Sequence, residues 1–186
     1  DQLRLRGGHL DFIGRSHIWI DDYDRADSVQ FAQFAIANAL AHTAPGQLEV
    51  LVFDDALRGI AAPFQEVNSG GGKILRHIND VQELNETIKY LHEHVRSVLN
   101  VIQGRTESLL DFRQQLSPKV EGFKLVVLST IYDLLSDEIR DKLTVLLKAG
   151  PAAGVTFLIH SMKLNVNKEI LNLTQLCDVE ERTVYD

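Results

Sequence analysis

The sequence predicts an α/β domain of three layers, a mainly parallel sheet with helices on both faces. Two observations carry this. Short hydrophobic runs alternate along the chain with longer stretches whose apolar residues recur at helical spacing. The runs are continuously apolar, which is how a strand buried on both faces reads.

The elements follow in order. Residues 1–15 form a polar lead-in containing Gly7, Gly8 and Gly14, and one domain spans 16–186. Residues 16–20 are the first strand, and 21–28 a polar loop. Residues 29–42 place Phe31, Phe34, Ala35, Ala37, Asn38, Leu40 and Ala41 at helical spacing, with Asp27 or Ser28 as N-cap. Ala44-Pro45-Gly46 turns the chain. Residues 48–53 are the second strand, closed by Asp54-Asp55, and 74–78 the third.

Asn79 or Asp80 caps a long helix over 81–102, striped by Leu84, Ile88, Leu91, Val95 and Val98. A shorter helix covers 107–115. Residues 123–128 are the fourth strand. Ser136 caps a helix over 137–148, acidic in its first turn and ending on Lys148, as the helix dipole favours. Gly150-Pro151 stops it, and 155–159 are the fifth strand. A short helix over 168–176 and a weak edge strand over 179–185 complete the chain.

The 186 residues suit one domain with a real core, and 45% hydrophobic against 24% charged is a globular balance. A net charge of -7 argues against autonomous nucleic-acid binding, which needs a basic face. The single cysteine, Cys177, suits a reducing compartment, so a cytoplasmic location is expected. No apolar run approaches the roughly 20 residues of a membrane span, and no direct membrane contact is expected. The start carries no signal-peptide pattern. The chain opens without Met and reads as a piece of a larger protein.

In such sheets ligands bind beyond the carboxyl ends of the strands. The loops of interest are therefore 21–28, 54–56, 129–133 and 160–163. Gly70-Gly71-Gly72-Lys73 does not lie between a strand and a helix, so it reads as a surface loop and not a phosphate cradle. His92 and His94 stand two apart on a helix and cannot share a ligand face; His160 alone sits at a pocket edge.

Several segments together resemble FtsK/SpoIIIE-type ATPase domains, the group that includes EccC-like secretion ATPases. His17-Ile18-Trp19-Ile20, an eight-residue loop and a helix resemble the strand, P-loop and helix of that family. Leu51-Val52-Phe53-Asp54-Asp55 resembles its second strand. The run from Leu146 through Lys148, Gly150, Pro151 and Gly154 to Ile159 resembles its helix, small-residue turn and sensor strand. The resemblance implies a RecA-like P-loop NTPase core.

It also marks three departures. A P-loop needs glycines whose N–H groups wrap phosphate, a Lys, and a Ser or Thr on Mg²⁺. Here the loop is Asp21-Asp22-Tyr23-Asp24-Arg25-Ala26-Asp27-Ser28: no glycine, Asp27 in place of the Lys, and only Ser28 in pattern. Like charges ~4 Å apart near a protein surface cost about 4 kcal/mol per pair, more than Arg25 can offset. The catalytic strand ends Leu128-Ser129-Thr130 where the family has an acidic pair, and the sensor position falls on Met162.

The resemblance therefore implies a pseudo-ATPase with no catalytic residues, in which Arg25, Asp27 and Ser28 are a vestigial phosphate loop. No cofactor is expected; in one alternative the loop still works, and the domain binds ATP, with Mg²⁺, without hydrolysing it, Arg25 and Ser28 contacting phosphate. The implied partners are neighbouring ATPase domains, with DNA or protein handled by the parent molecule. Two alternatives keep an Mg²⁺ site on Asp22, Asp24 and Asp54: a receiver-like acidic pocket with Lys163, and a phosphatase of the haloacid-dehalogenase kind using Asp22-Tyr23-Asp24. Against the first, the helix over 81–102 is too long; against the second, Ala26 stands where a hydroxyl belongs.

Overall fold

A computed structural model describes residues 12–21, 26–44, 46–70, 74–115, 122–161 and 177–181. Among these, six strands form one parallel sheet: β1 (His17–Asp21), β2 (Leu48–Asp54), β3 (Leu75–Ile78), β4 (Phe123–Ser129), β5 (Val155–Ser161) and β6 (Cys177–Glu181). Their order is β3-β2-β4-β5-β1-β6. The helices are α1 (Ala26–Ala41), α2 (Val81–Ile102), α3 (Leu109–Gln115) and α4 (Asp137–Ala149). The expected α/β architecture with a parallel sheet is the one observed.

Handedness assigns the layers. The connection β1–α1–β2 runs toward the β3 end of the sheet, whereas β3–α2–β4 and β4–α4–β5 run toward the β6 end. Right-handed crossovers therefore place α1 on one face and α2 and α4 on the other. The packing agrees: α2 lies against α4, and α1 against β2 and β5. The central strands are buried along nearly their whole length, as their continuous hydrophobicity requires.

α2 buries the expected stripe of Leu84, Ile88, Leu91, Val95 and Val98, plus Thr87 and Ile102. Each such aliphatic side chain taken out of water contributes about 2 kcal/mol. Asp80 is its N-cap, accepting the Glu83 N–H, and the Glu83 carboxylate accepts the Asn79 N–H in return. Ser136 caps α4 in the same way through the Ile139 N–H.

Three expectations shift. α1 begins at Ala26, so Ser28 lies in its first turn and is not its N-cap. Its buried face is Ser28, Phe31, Ala32, Ala35, Ile36, Asn38 and Ala39, while Phe34, Ala37 and Ala41 turn outward. Ala-rich composition hid this rotation. β5 continues through His160 and Ser161, which sequence assigned to a loop, because both polar side chains find buried partners there. β6 begins at Cys177, ahead of the expected 179, and pairs with β1 from His17 onward. The helix expected over 168–176 lies outside the described residues.

The turn from α4 to β5 depends on two glycines. Gly154 has φ +78°, and a Cβ there would come within 2.6 Å of Leu109 and 3.0 Å of Phe123. At Gly150 a Cβ would meet the carbonyl oxygens of Leu146 at 2.4 Å and Val155 at 2.7 Å. The Leu146 oxygen already accepts the Gly150 N–H, and the Gly150 carbonyl accepts the Val155 N–H at the entry to β5, so the backbone has little room to give. Gly154→Ala is expected to lower stability by about 2 kcal/mol through left-handed strain and overpacking. Gly150→Ala should cost at least as much. Urea unfolding of the two variants against the parent chain checks this.

Candidate functional site

The carboxyl ends of the strands form the candidate site, and sheet order brings three of them together. β5 lies between β4 and β1, so residues at its end can reach the end of β4 and the start of α1, which follows β1. The residue that does so is His160, paired in register with Ser129 on one side and Ile20 on the other.

The His160 ring is fully buried. Its Nε2 lies 2.7 Å from Ser28 Oγ and its Nδ1 2.8 Å from Ser129 Oγ. Ser28 is 2% exposed and Ser129 is fully buried. A hydroxyl can donate or accept, so either neutral tautomer of the ring satisfies both contacts. Burial is the main cause that drives the His160 pKa down to about 4; the nearby positive charge of Arg58 adds to this, and Asp54 opposes it. The ring is therefore neutral near pH 7.

Around this chain the backbone is locked. Thr130 N–H donates to the His160 carbonyl, and Tyr132 N–H donates to Ser161 Oγ at 3.1 Å. Asp55 N–H donates to the Ser129 carbonyl, and Thr130 Oγ1 donates to the Asp55 carboxylate at 3.3 Å. The ends of β2, β4 and β5 are thus tied to one another by their own polar groups.

Asp54 closes β2, next to the point where the connections leaving β2 and β4 diverge. In α/β sheets that crevice is the usual ligand position. Its carboxylate accepts the N–H groups of Arg58, at 2.9 Å, of Gly59, at 2.9 Å, and of Ile60, at 3.3 Å. The carboxylate thereby folds the 55–60 loop onto the end of β2. Leu57, at the tip of this loop, is held at φ 52°.

Of the other residues singled out by sequence, Asp22, Asp24 and Arg25 lie outside the described residues, as do Met162 and Lys163. Asp27 belongs to α1, with only its backbone described. Ser28 is the one phosphate-loop candidate whose side chain is placed, and it points into the protein at His160. Among the described residues no three His, Cys, Asp or Glu side chains converge as a metal site.

Sequence reasoning missed the role of His160. The available signal was a histidine ending an otherwise apolar strand, with serines at the corresponding ends of two neighbouring segments. A serine bonded to a histidine also resembles a nucleophile with its base. Here both are sealed from solvent, so no substrate carbonyl can approach Ser28 Oγ.

His160 makes stability depend on pH. Its folded pKa is depressed below the unfolded value, so the unfolded chain takes up the proton first. The contribution is fully present above pH ~6.5 and is lost as pH falls toward 4, at about 1.4 kcal/mol per unit. Urea unfolding between pH 7.5 and 4 is expected to show this loss. In His160→Gln the pH slope should be shallower over that window, whatever the variant's absolute stability.

No protein-family model matches the chain, and no curated protein does. Solved structures do. The cytoplasmic domain of the Thermomonospora curvata type VII secretion ATPase EccC superposes with a TM-score of 0.69 at 15% identity, over 87% of this chain and 19% of that one. The cytoplasmic domain of EssC gives 0.68 at 14% identity, over 88% of this chain and 32% of that one. A Geobacillus thermodenitrificans EssC structure described as ATPases 2 and 3 gives 0.64 at 15% identity, over 92% and 35%. The chain thus spans about a fifth to a third of the solved chains it matches. At this level of identity it is the fold that is shared: this chain has the α/β architecture of the EccC and EssC ATPase domains, as the sequence resemblance implied.

Proposed function

We propose that this chain is a non-catalytic, pseudo-ATPase module of a larger ATPase that translocates protein or DNA, and that it serves assembly or regulation. The observation that carries the reading is the Ser28–His160–Ser129 chain. By the resemblance, Ser28 stands at the Mg²⁺-binding hydroxyl and Ser129 at the first acid of the catalytic strand. In a working site both would face metal and phosphate. In this chain they face the same buried, neutral imidazole.

Charge supports the same reading. Mg²⁺ and a developing phosphoryl charge need fixed carboxylates and cations at these strand ends. Serine, threonine and neutral histidine supply neither. The Asp54 carboxylate is already spent on three backbone N–H groups, which also weakens the Mg²⁺ alternatives built on it. The solved neighbours include a structure described as ATPases 2 and 3 of one protein, which supports a place for this domain beside other ATPase domains.

Calorimetric titration of the chain with ATP and with ADP, each with and without Mg²⁺, tests the proposal. No heat of binding is expected in any of the four titrations. A micromolar Kd for either nucleotide would overturn the pseudo-ATPase reading. In a fifth titration, with Mg²⁺ alone, binding would move the assignment to the carboxylates of Asp22, Asp24 and Asp54.

A further inference from the structure

β3 ends the sheet on the side away from β6. An edge strand exposes a row of backbone donors and acceptors that can pair with another chain. In a parallel ladder, alternate residues of a strand turn both backbone groups to the same neighbour. β3 pairs with β2 at Val50↔Leu75 and Val52↔His77, and Val50 N–H donates to the Ile74 carbonyl. The backbone groups of Leu75 and His77 therefore point outward, away from the sheet.

The outward groups of Leu75 are not open. Asn68 Oδ1 accepts the Leu75 N–H at 3.0 Å, and Asn68 Nδ2 donates to the Leu75 carbonyl at 2.7 Å. The same Oδ1 accepts the Ile74 N–H at 2.8 Å. A primary amide offers a donor and an acceptor side by side, as a peptide group does. The Asn68 side chain thus takes the place that one residue of an added strand would take. It is held there by its own turn: Val67 N–H donates to the Phe64 carbonyl, and both Phe64 and Val67 pack against the core. His77, the remaining outward residue, is exposed, and its backbone N–H and carbonyl have no partner among the described residues.

We propose that Asn68 is an edge-closing residue: its amide mimics a strand residue on Leu75 and keeps the β3 edge of one copy from pairing with the β3 edge of a second. The occupant it excludes is a second copy of this chain, because two open β3 edges can pair antiparallel about a two-fold axis, each offering the same groups to the other. With Asn68 in place only the His77 pair is available, too short a ladder to hold a dimer.

The test needs no variant to begin. In hydrogen exchange of the parent chain, the Leu75 amide should be protected like a ladder amide while the His77 amide exchanges as an exposed one. Equal, fast exchange at both would overturn the proposal. Asn68→Ala should raise the Leu75 exchange rate by about tenfold, the equivalent of one lost hydrogen bond. Sedimentation velocity should then show dimers or larger species at concentrations where the parent chain is a single monomeric species. Asn68→Ala/His77→Pro should return to monomer, because proline removes the outward N–H without touching the bonds to β2. A folded Asn68→Ala chain that stays monomeric would overturn the proposal. So would a double variant that still self-associates, since that association would come from unfolding and not from the edge.

Discussion

A histidine ring placed wholly out of water must find partners for both nitrogens, and at His160 that requirement organises the carboxyl end of the sheet. An unmet buried donor or acceptor costs about 1–3 kcal/mol. The ring meets its needs by drawing in Ser28 from the first turn of α1 and Ser129 from the end of β4. Three elements distant in sequence are thereby fixed at one point. Burial then keeps the ring neutral, so the hub of this face carries no formal charge.

A second histidine does similar work inside the sheet. His17 opens β1 and is fully buried. Its Nδ1 accepts the Phe157 N–H at 2.9 Å, and its Nε2 donates to the Leu147 carbonyl at 2.7 Å. Only the neutral Nε2–H tautomer makes both bonds. One ring thus pins β1 to β5 and to the last turn of α4, just ahead of the Gly150–Gly154 turn. The residues that carried the sequence resemblance at the start of β1 and around that turn are joined through this imidazole.

Among the described residues, several polar groups at the carboxyl ends of the strands and at the β3 edge are met from within the chain. The N–H groups of the 58–60 loop point at a carboxylate, but the carboxylate is the chain's own Asp54. The hydroxyls of Ser28 and Ser129 meet a ring of the same chain. Asn68 does for the sheet edge what Asp54 does for the crevice. In each case a side chain of the protein itself supplies the bonds.

The layered fold was legible in the sequence because its signals are local. Continuous apolar strands, the stripe from Leu84 to Val98, the caps Asp80 and Ser136, and the Gly150-Pro151 stop depend on residues close in the chain. That residues 21–28 hold no glycine, and that Ser129-Thr130 follow Leu128, is likewise written in the residues themselves. Tertiary structure decided everything that joins residues far apart. Ser28 and His160 are 132 residues apart, and nothing local to either predicts their bond. That Asp54 accepts the N–H groups of residues 58–60 depends on how the 55–60 backbone turns, which no pattern around Asp54 announces. Periodicity and capping read neighbours along the chain. Only the order of strands in the sheet determines which strand ends meet, and that order is set by packing.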